Sequence, residues 1–395
     1  MATVARNQQI RENRRHSHVG GVPDEEYYLC FSSPTPTRGD GKNELVNGLE
    51  DRHAVNVSDV LFAFFGIMVP NEFFSPLQNT MLYRVVSLAV VALLMTGWMA
   101  ELSAQQLSLK QTDTGYEVSI SGKLFAGYVT DQGGAPVVYP IVGPTGKNMT
   151  RDYPMEKAYE GVKADHPHHR SLWFAHGDVN KLDYWGAKNK IVHQRFVKAE
   201  CDGTTALLVT DNDLIDGNNQ VVCHEVRTIR FAVSGDTRII DFDVTVTAEQ
   251  EKVVFGDTKE GTFGIRVPEV LAVETKKGGS FINAEGKIGE RDAWGKRSSW
   301  VDYNGTLDGE KVGIAILNHP SSFRFPTYWH VRNYGLFAAN PFGVHDFESL
   351  QDTKAGEHIL QKGQSFTCRY RVLFHQGDST EAKIAEAFKA YAEMP

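Results

Sequence analysis

The residues best suited to chemistry lie in one stretch, Asp165–Asp178, which reads DHPHHRSLWFAHGD. It holds four of the chain's 14 histidines, together with an arginine and a tryptophan. Imidazole changes its charge near neutral pH and is the commonest metal ligand, so the stretch predicts acid–base chemistry or metal binding. Side chains alternate between the two faces of an extended segment, which would place His166 and His168 on one face and His169 on the other.

A second segment, residues 255–266, collects charged side chains among glycines. Its glycines have the spacing of a phosphate-binding loop, but Thr262 stands where that loop needs a lysine, which excludes the motif. Asp257 and Glu260 each lie close to a cation along the chain, and Arg266 ends the segment. A carboxylate tuned by a neighbouring cation can act as a general base. The alternative is a charged turn between two strands.

A third segment alternates polar and aromatic residues. In an extended chain Tyr328, His330, Arg332 and Tyr334 line one face. Aromatic rings stack on the apolar faces of sugars, and the polar groups bind hydroxyls. The segment therefore predicts a sugar-binding platform, with a core strand of satisfied polar groups as the alternative.

The elements that must position these residues are strands. From residue 105 onward the hydrophobic period is mostly two, as in the alternation of 238–248 and of 364–376. We predict one all-β domain over residues 105–395, a large antiparallel two-sheet sandwich. One C-terminal helix is expected, because Asp378 and Glu381 have capping-box spacing before an apolar stripe.

The N-terminal part predicts export. Met81–Arg84 is followed by sixteen uncharged residues, and Ala104 suits the position before a cleavage site. Sixteen residues are short of the ~20 that span a membrane, so residues 81–104 are predicted as a signal peptide and the protein as secreted or periplasmic. Met81 is then the expected start, and residues 1–80 an upstream extension. The net charge of −8, with no basic stripe, argues against nucleic acid as a partner.

Four segments in order, residues 165–173, 176–180, 256–261 and 328–335, resemble a family of secreted bacterial proteins labelled "methane oxygenase PmoA" or PmoA-like. The resemblance covers nearly all of 105–395 and implies a galactose-mutarotase-like β-supersandwich that accompanies polysaccharide breakdown. The methane subunit of that name spans the membrane several times, whereas no apolar run in 105–395 approaches ~20 residues. We therefore carry over the family and not the methane chemistry.

The leading hypothesis is a carbohydrate-active protein in which a carboxylate removes a hydroxyl proton and an imidazole protonates the ring oxygen. His168 or His176 would be the acid and Glu260 or Asp257 the base, with His330 as a further catalytic candidate. Substrate binding is assigned to His166, His169, Arg170, Trp173, Asp178, Trp185, Arg266, Tyr328, Arg332 and Tyr334. The arginines would hold hydroxyls or a uronate carboxylate.

Two alternatives belong to other classes. One is a non-catalytic glycan-binding module. The other is a copper, iron or zinc enzyme, for which His166, His168, His169 and His176 are the candidate ligands, although their spacing matches no standard motif. No cofactor is required by the leading hypothesis, and a metal is compatible with the histidines.

Overall fold

The computed structural model describes residues 105–160 and 162–395. The predicted signal peptide, 81–104, and the upstream extension, 1–80, lie outside the described residues and stay predictions. Among the described residues, no helix combines the length and the apolar character needed to cross a membrane.

Strands dominate the described part of the chain. The strands are β1 (Leu107–Thr112), β2 (Gly115–Ile120), β3 (Lys123–Val129), β4 (Val137–Ile141), β5 (Leu172–His176), β6 (Lys190–Cys201), β7 (Thr205–Ile215), β8 (Val221–Ser234), β9 (Thr237–Ala248), β10 (Lys252–Phe255), β11 (Gly261–Arg266), β12 (Ser280–Asn283), β13 (Trp300–Leu307), β14 (Glu310–Asn318), β15 (Tyr328–Val331), β16 (Leu336–Asn340), β17 (His358–Gln361) and β18 (Ser365–Gln376). The α-helices are α1 (Gly289–Ala293), α2 (Val344–Glu348) and α3 (Ile384–Ala392), and two 3₁₀ turns cover Glu269–Leu271 and Val273–Thr275.

Two eight-stranded antiparallel sheets form the body of the fold. The first has the order β1-β2-β3-β4-β5-β11-β16-β15, and the second β12-β13-β14-β18-β9-β8-β7-β6. Their inner faces meet: the ring of Phe263 on β11 lies 5.0 Å from Phe242 on β9 and stacks at 4.6 Å on Tyr370 of β18. The predicted all-β, two-sheet architecture is confirmed.

The alternation along β9 explains how the second sheet is built. The apolar side chains of Phe242, Val244 and Val246 are at most 1% exposed, while the polar residues between them face outward. Such a strand buries one face on a core and leaves the other to solvent. Cys223 on β8 and Cys368 on β18 are buried, and Cys201 is exposed and not in a disulfide.

The C-terminal helix is present, although its predicted cap encloses a turn rather than the first helical turn. Asp378 Oδ1 accepts from the Glu381 amide at 3.0 Å, and Glu381 Oε2 accepts from the Asp378 amide at 3.0 Å. The helix itself begins at Ile384. The sequence analysis missed α1 and α2, because helices of five residues show no period to detect.

Candidate functional site

A polar cleft of about 420 Å³ is bordered by the segment before β5, the segment before β11 and the turn after β15. Its lining residues are His166, His168, His169, Gly177, Asp183, Trp185, Gly186, Lys188, Thr258, Glu260 and Tyr334. Six of them come from the predicted site, including the three clustered imidazoles. We call this the imidazole cleft.

The three imidazoles converge because residues 166–169 turn. His166 has a φ of 44°, and the His169 amide donates to the His166 carbonyl at 2.9 Å. The rings of His166, His169 and Tyr334 are nearly parallel, with His166 4.8 Å from His169 and 5.0 Å from Tyr334, and the edge of His168 meets His169 at 4.4 Å. The extended conformation expected from the sequence, with His169 on the opposite face, is therefore wrong.

Two buried arginines fix the Asp165 end of this turn. Arg151 Nη1 lies 2.5 Å from Asp165 Oδ1, and Arg266 Nη2 lies 3.2 Å from the same oxygen. Partial burial opposes ionisation of this carboxyl group, but the hydrogen bond from Arg151 and the charge of Arg266 outweigh it and lower the pKa of Asp165.

Arg266 also sets the protonation of His169. Its Nη1 lies 3.1 Å from His169 Nδ1, and a guanidinium group can only donate. Nδ1 must therefore be the acceptor, so His169 is a neutral imidazole with its proton on Nε2. Burial, reinforced by the charges of His168 and Arg266, lowers the pKa of His169 well below its ordinary value. His169 thus offers a hydrogen-bond donor, and Arg266 acts behind the cleft rather than on a substrate.

His168 is half-buried and complements this donor. Burial, together with the neighbouring charge of His166, lowers the pKa of His168 to about 4. At neutral pH the ring is uncharged and has one unprotonated nitrogen. That state suits a proton acceptor, whereas the sequence analysis gave His168 the role of acid.

The rest of the cleft is polar and aromatic. Glu260, with 42% of its side chain exposed, lies 3.6 Å from Lys259 Nζ. Asp183 and Lys188 form an ion pair at 3.2 Å. The sequence analysis missed these two and Thr258, because a charged pair in a turn has no signal until the fold brings it to the cleft. Burial raises the pKa of Tyr334 to about 12, so its phenol stays protonated at neutral pH.

His176 lies in the core. Its Nε2 donates to the Gly256 carbonyl at 2.9 Å, and its ring packs 4.5 Å from Phe342. Burial lowers its pKa to about 4, and Nδ1 is buried against Gly261 without a hydrogen-bond partner among the described residues. His176 therefore does not line the imidazole cleft.

Asp257 and Asp178 are structural carboxylates. Asp257 accepts from the amides of His345 (3.0 Å) and Gly356 (2.5 Å), which ties α2 to the segment before β11. Its side chain is fully buried and has no free access to a substrate. Asp178 accepts from the Lys181 amide at 2.8 Å within a turn.

Two more predicted binding residues are buried and have structural roles inside the fold. Arg170 is buried and donates to the carbonyls of Gln132 and Gly133, away from the imidazoles beside it in sequence. Trp173 is 1% exposed and packs 4.7 Å from Trp185, so it supports the cleft from behind.

The predicted platform on β15 is covered rather than open. Tyr328 donates to Glu348 of α2, and the Arg297 guanidinium lies over its ring at 4.5 Å. His330 is buried and donates from Nδ1 to the Lys259 carbonyl at 2.8 Å. Burial lowers the pKa of His330 to about 4. These two side chains share a face, as expected, but that face packs on α2.

The histidine cluster does not fit the metal-site alternative. Among residues 105–160 and 162–395, no three His, Cys, Asp or Glu side chains are grouped so as to hold a metal ion. His166 and His169 stack in parallel, 10° apart, and Arg266 occupies Nδ1 of His169. The donor nitrogens therefore do not point at a common centre.

Most of the chain matches one known protein family. Residues 115–389 match the family described as "Family of unknown function (DUF6807)". The chain belongs to this family. The match to DUF6807 does not carry the PmoA-like label, which stays a prediction. A comparison with curated protein sequences finds no significant match.

Solved structures provide distant likenesses at low TM-scores. The α-galactosidase from Lactobacillus brevis is 10% identical, with 71% of this chain and 41% of that chain covered and a TM-score of 0.39. Galactose 1-epimerase from Lactobacillus acidophilus NCFM is 10% identical, with 69% of this chain and 100% of that chain covered and a TM-score of 0.32. 4-α-Glucanotransferase from Thermococcus litoralis is 10% identical, with 69% of this chain and 40% of that chain covered and a TM-score of 0.30. The chain thus spans about two fifths of the α-galactosidase and the glucanotransferase.

Proposed function

We propose that the imidazole cleft binds a saccharide and that His168 and His169 act together on one of its hydroxyl groups. The observation that carries this proposal is the pair of neutral imidazoles, with ring centroids 4.4 Å apart, of which one is held as a donor by Arg266. Such a pair can accept the proton of a hydroxyl group and donate to its oxygen at the same time.

The chemistry that this pair supports is proton abstraction. His168 takes the hydroxyl proton, and the Nε2–H of His169 stabilises the negative charge that develops on the oxygen. At an anomeric hydroxyl, the carbonyl then forms as the ring C–O bond breaks, and the ring oxygen takes a proton from a water molecule, which in turn takes the proton that His168 removed. Glu260 accepts hydrogen bonds from other hydroxyls. This step requires no cofactor.

The substrate class is a neutral sugar. The ammonium group of Lys188 is paired with Asp183, and that of Lys259 with Glu260. Neither lysine therefore offers an unpaired charge to a uronate carboxylate. The sequence analysis left a uronate open, and the carboxylates beside these lysines favour hydroxyl recognition instead, because they repel a second negative charge.

Polarimetry of freshly dissolved α-D-galactose and α-D-glucose tests the proposal. We expect the protein to accelerate anomer exchange and the His168→Gln variant to lower that catalysed rate by about 100-fold or more, because general bases contribute that much. The dissociation constant should stay within about threefold, since glutamine still hydrogen-bonds hydroxyls. His224→Gln, at an exposed histidine of β8, is the matched control and should keep the full rate.

The alternatives give other results. Sugar binding that His168→Gln weakens, with no sugar altered by the wild-type protein, would identify a glycan-binding module. Failure of a panel of neutral mono- and oligosaccharides to bind at all would refute the proposal. Binding of galacturonic acid in preference to galactose would refute the neutral-sugar assignment.

We also propose that the protein acts outside the cytoplasm, on the basis of the signal-like segment 81–104. Mass spectrometry of the protein from its native source should find an N-terminus at or near Gln105. Any peptide from residues 1–80 in that sample would contradict the start at Met81.

A further inference from the structure

We propose that a second saccharide subsite adjoins the imidazole cleft, so that the natural ligand is a neutral oligosaccharide. This inference rests on the proposed function of the cleft. The subsite is an open surface cavity of about 500 Å³. It is lined by Glu290, Arg291, Trp294, Arg332 and Asn333.

One turn joins the two cavities. Arg332 and Asn333 line the second cavity, while Tyr334, the next residue, lines the imidazole cleft. The Arg332 guanidinium lies 5.5 Å from the centre of the Tyr334 ring and 6.0 Å from that of Trp294. A ligand that extends past Tyr334 therefore meets Arg332 and then Trp294.

The second cavity is held in place by hydrogen bonds and an ion pair. Glu290 Oε2 accepts from the Asn333 amide at 2.7 Å, and Glu290 Oε1 lies 2.8 Å from Arg332 Nε. The Trp294 amide donates to the Glu290 carbonyl at 3.1 Å, at the end of α1. Because Glu290 connects α1 with the turn, the indole and the guanidinium keep their spacing without a ligand.

His330 lies between the two cavities and contacts residues beside each of them. Its buried ring lies 6.2 Å from Trp294, edge to face, and its Nδ1 donates to the Lys259 carbonyl, next to Glu260 of the imidazole cleft. His330 thus supports both cavities from within. The sequence marked it as part of the site, and its role is packing and positioning rather than proton transfer.

The lining residues fit a neutral sugar unit. Trp294 is half-buried and can offer its accessible part to the apolar face of a sugar ring, while Glu290, Asn333 and Arg332 supply groups for hydroxyls. Both guanidinium groups have partners, since Arg332 pairs with Glu290 and Arg291 with Asp292 at 2.9 Å. The carboxylates beside both guanidinium groups repel a further negative charge, which favours a neutral over an acidic sugar.

Calorimetric titration with galactose, glucose, galactotriose and cellotriose tests the inference on the full protein. We expect one trisaccharide to bind about tenfold tighter than its monosaccharide. Trp294→Ala should remove this gain and leave monosaccharide binding unchanged. Arg195→Ala, at an exposed ion pair on β6, is the control and should change neither constant.

A second measurement covers the case in which Trp294→Ala fails to fold. In protein labelled with fluorotryptophan, the Trp294 signal is assigned with Trp294→Phe. It should shift on addition of trisaccharide and not of monosaccharide, whereas Trp185 should respond to both. Equal affinity for mono- and trisaccharide, or a Trp294 signal that never moves, overturns the subsite but leaves the proposed function standing. Absence of all saccharide binding overturns both.

Discussion

At the scale of single residues, the site depends on a hydrogen bond that determines a tautomer. Arg266 and His169 are 97 positions apart in sequence, yet the guanidinium group decides which imidazole nitrogen carries the proton. The donor on His169 and the acceptor on His168 differ only in their surroundings. Sequence alone does not show which of the two histidines donates and which accepts.

We expect Arg266→Met to release His169 from its single tautomer. The ¹⁵N shifts of imidazole should show a proton on Nε2 in the wild-type protein and a mixture of tautomers in the variant, with a lower catalysed rate. Arg195→Met, at an exposed ion pair on β6, should leave the His169 signals unchanged. An unaltered His169 tautomer in Arg266→Met would show that another group fixes the proton.

The low pKa of His168 predicts the pH dependence of the reaction. A base with a pKa of about 4 is protonated, and inactive, below that pH and free above it. kcat/KM for anomer exchange should therefore rise as pH increases through about 4 and be level near neutrality. A rise centred near the ordinary histidine pKa would instead mean that His168 is more exposed to water in the working protein.

At the scale of elements, β11 shapes the cleft through a missing side chain. A Cβ placed on Gly264 would lie 2.9 Å from the Cη2 atoms of Trp173 and Trp185. The two indoles occupy the space that a side chain would fill, and Trp185 lines the cleft. The glycine is needed for close approach rather than for an unusual backbone conformation.

Gly264→Ala should therefore lower the free energy of unfolding by about 1–3 kcal/mol, the usual cost of overpacking, and weaken saccharide binding by moving Trp185. Gly217→Ala is the matched control, because a Cβ there meets no heavy atom within 4 Å. Urea unfolding and titration with sugar measure the two effects. Wild-type affinity in Gly264→Ala would mean that Trp185 does not contact the ligand.

At the scale of the molecule, the arginine of a buried ion pair connects the two sheets. Arg227 and Glu225 on β8 are each 1% exposed or less and pair with each other. Arg227 also donates to the carbonyls of Phe174 on β5 (3.2 Å) and of Pro136 (3.0 Å), in the layer of the first sheet. The strand that carries Phe174 begins beside the histidine turn, so this contact helps to fix the floor of the site.

Removing one partner of this pair should be costly. Arg227→Met leaves Glu225 buried and unpaired, and we expect a loss of about 3–5 kcal/mol in urea unfolding. The double variant Arg227→Met/Glu225→Met also removes the unpaired carboxylate, and it should recover part of the lost free energy of unfolding. If the double variant is as unstable as Arg227→Met alone, the bonds to the two carbonyls matter more than the ion pair.

The strands and the candidate site residues could be predicted from the sequence. Period-two alternation is local, because each strand buries one face whatever its partners are, so the two-sheet class could be predicted. The histidine stretch, Glu260, Trp185 and Tyr334 were identified from residue type. Residue type also selected His176, Asp257 and Tyr328, which the fold uses for packing and hydrogen bonding.

Which of these side chains come into contact is visible only in the folded structure. The turn at His166–His169, the donor on His169 and the cavity beside Trp294 all depend on contacts between distant segments. The state of an imidazole depends on burial and on the groups within hydrogen-bond reach, and neither follows from its neighbours along the chain. For that reason the sequence could propose an acid and a base, but only the fold shows that Arg266 leaves His169 a donor and that burial keeps His168 uncharged at neutral pH.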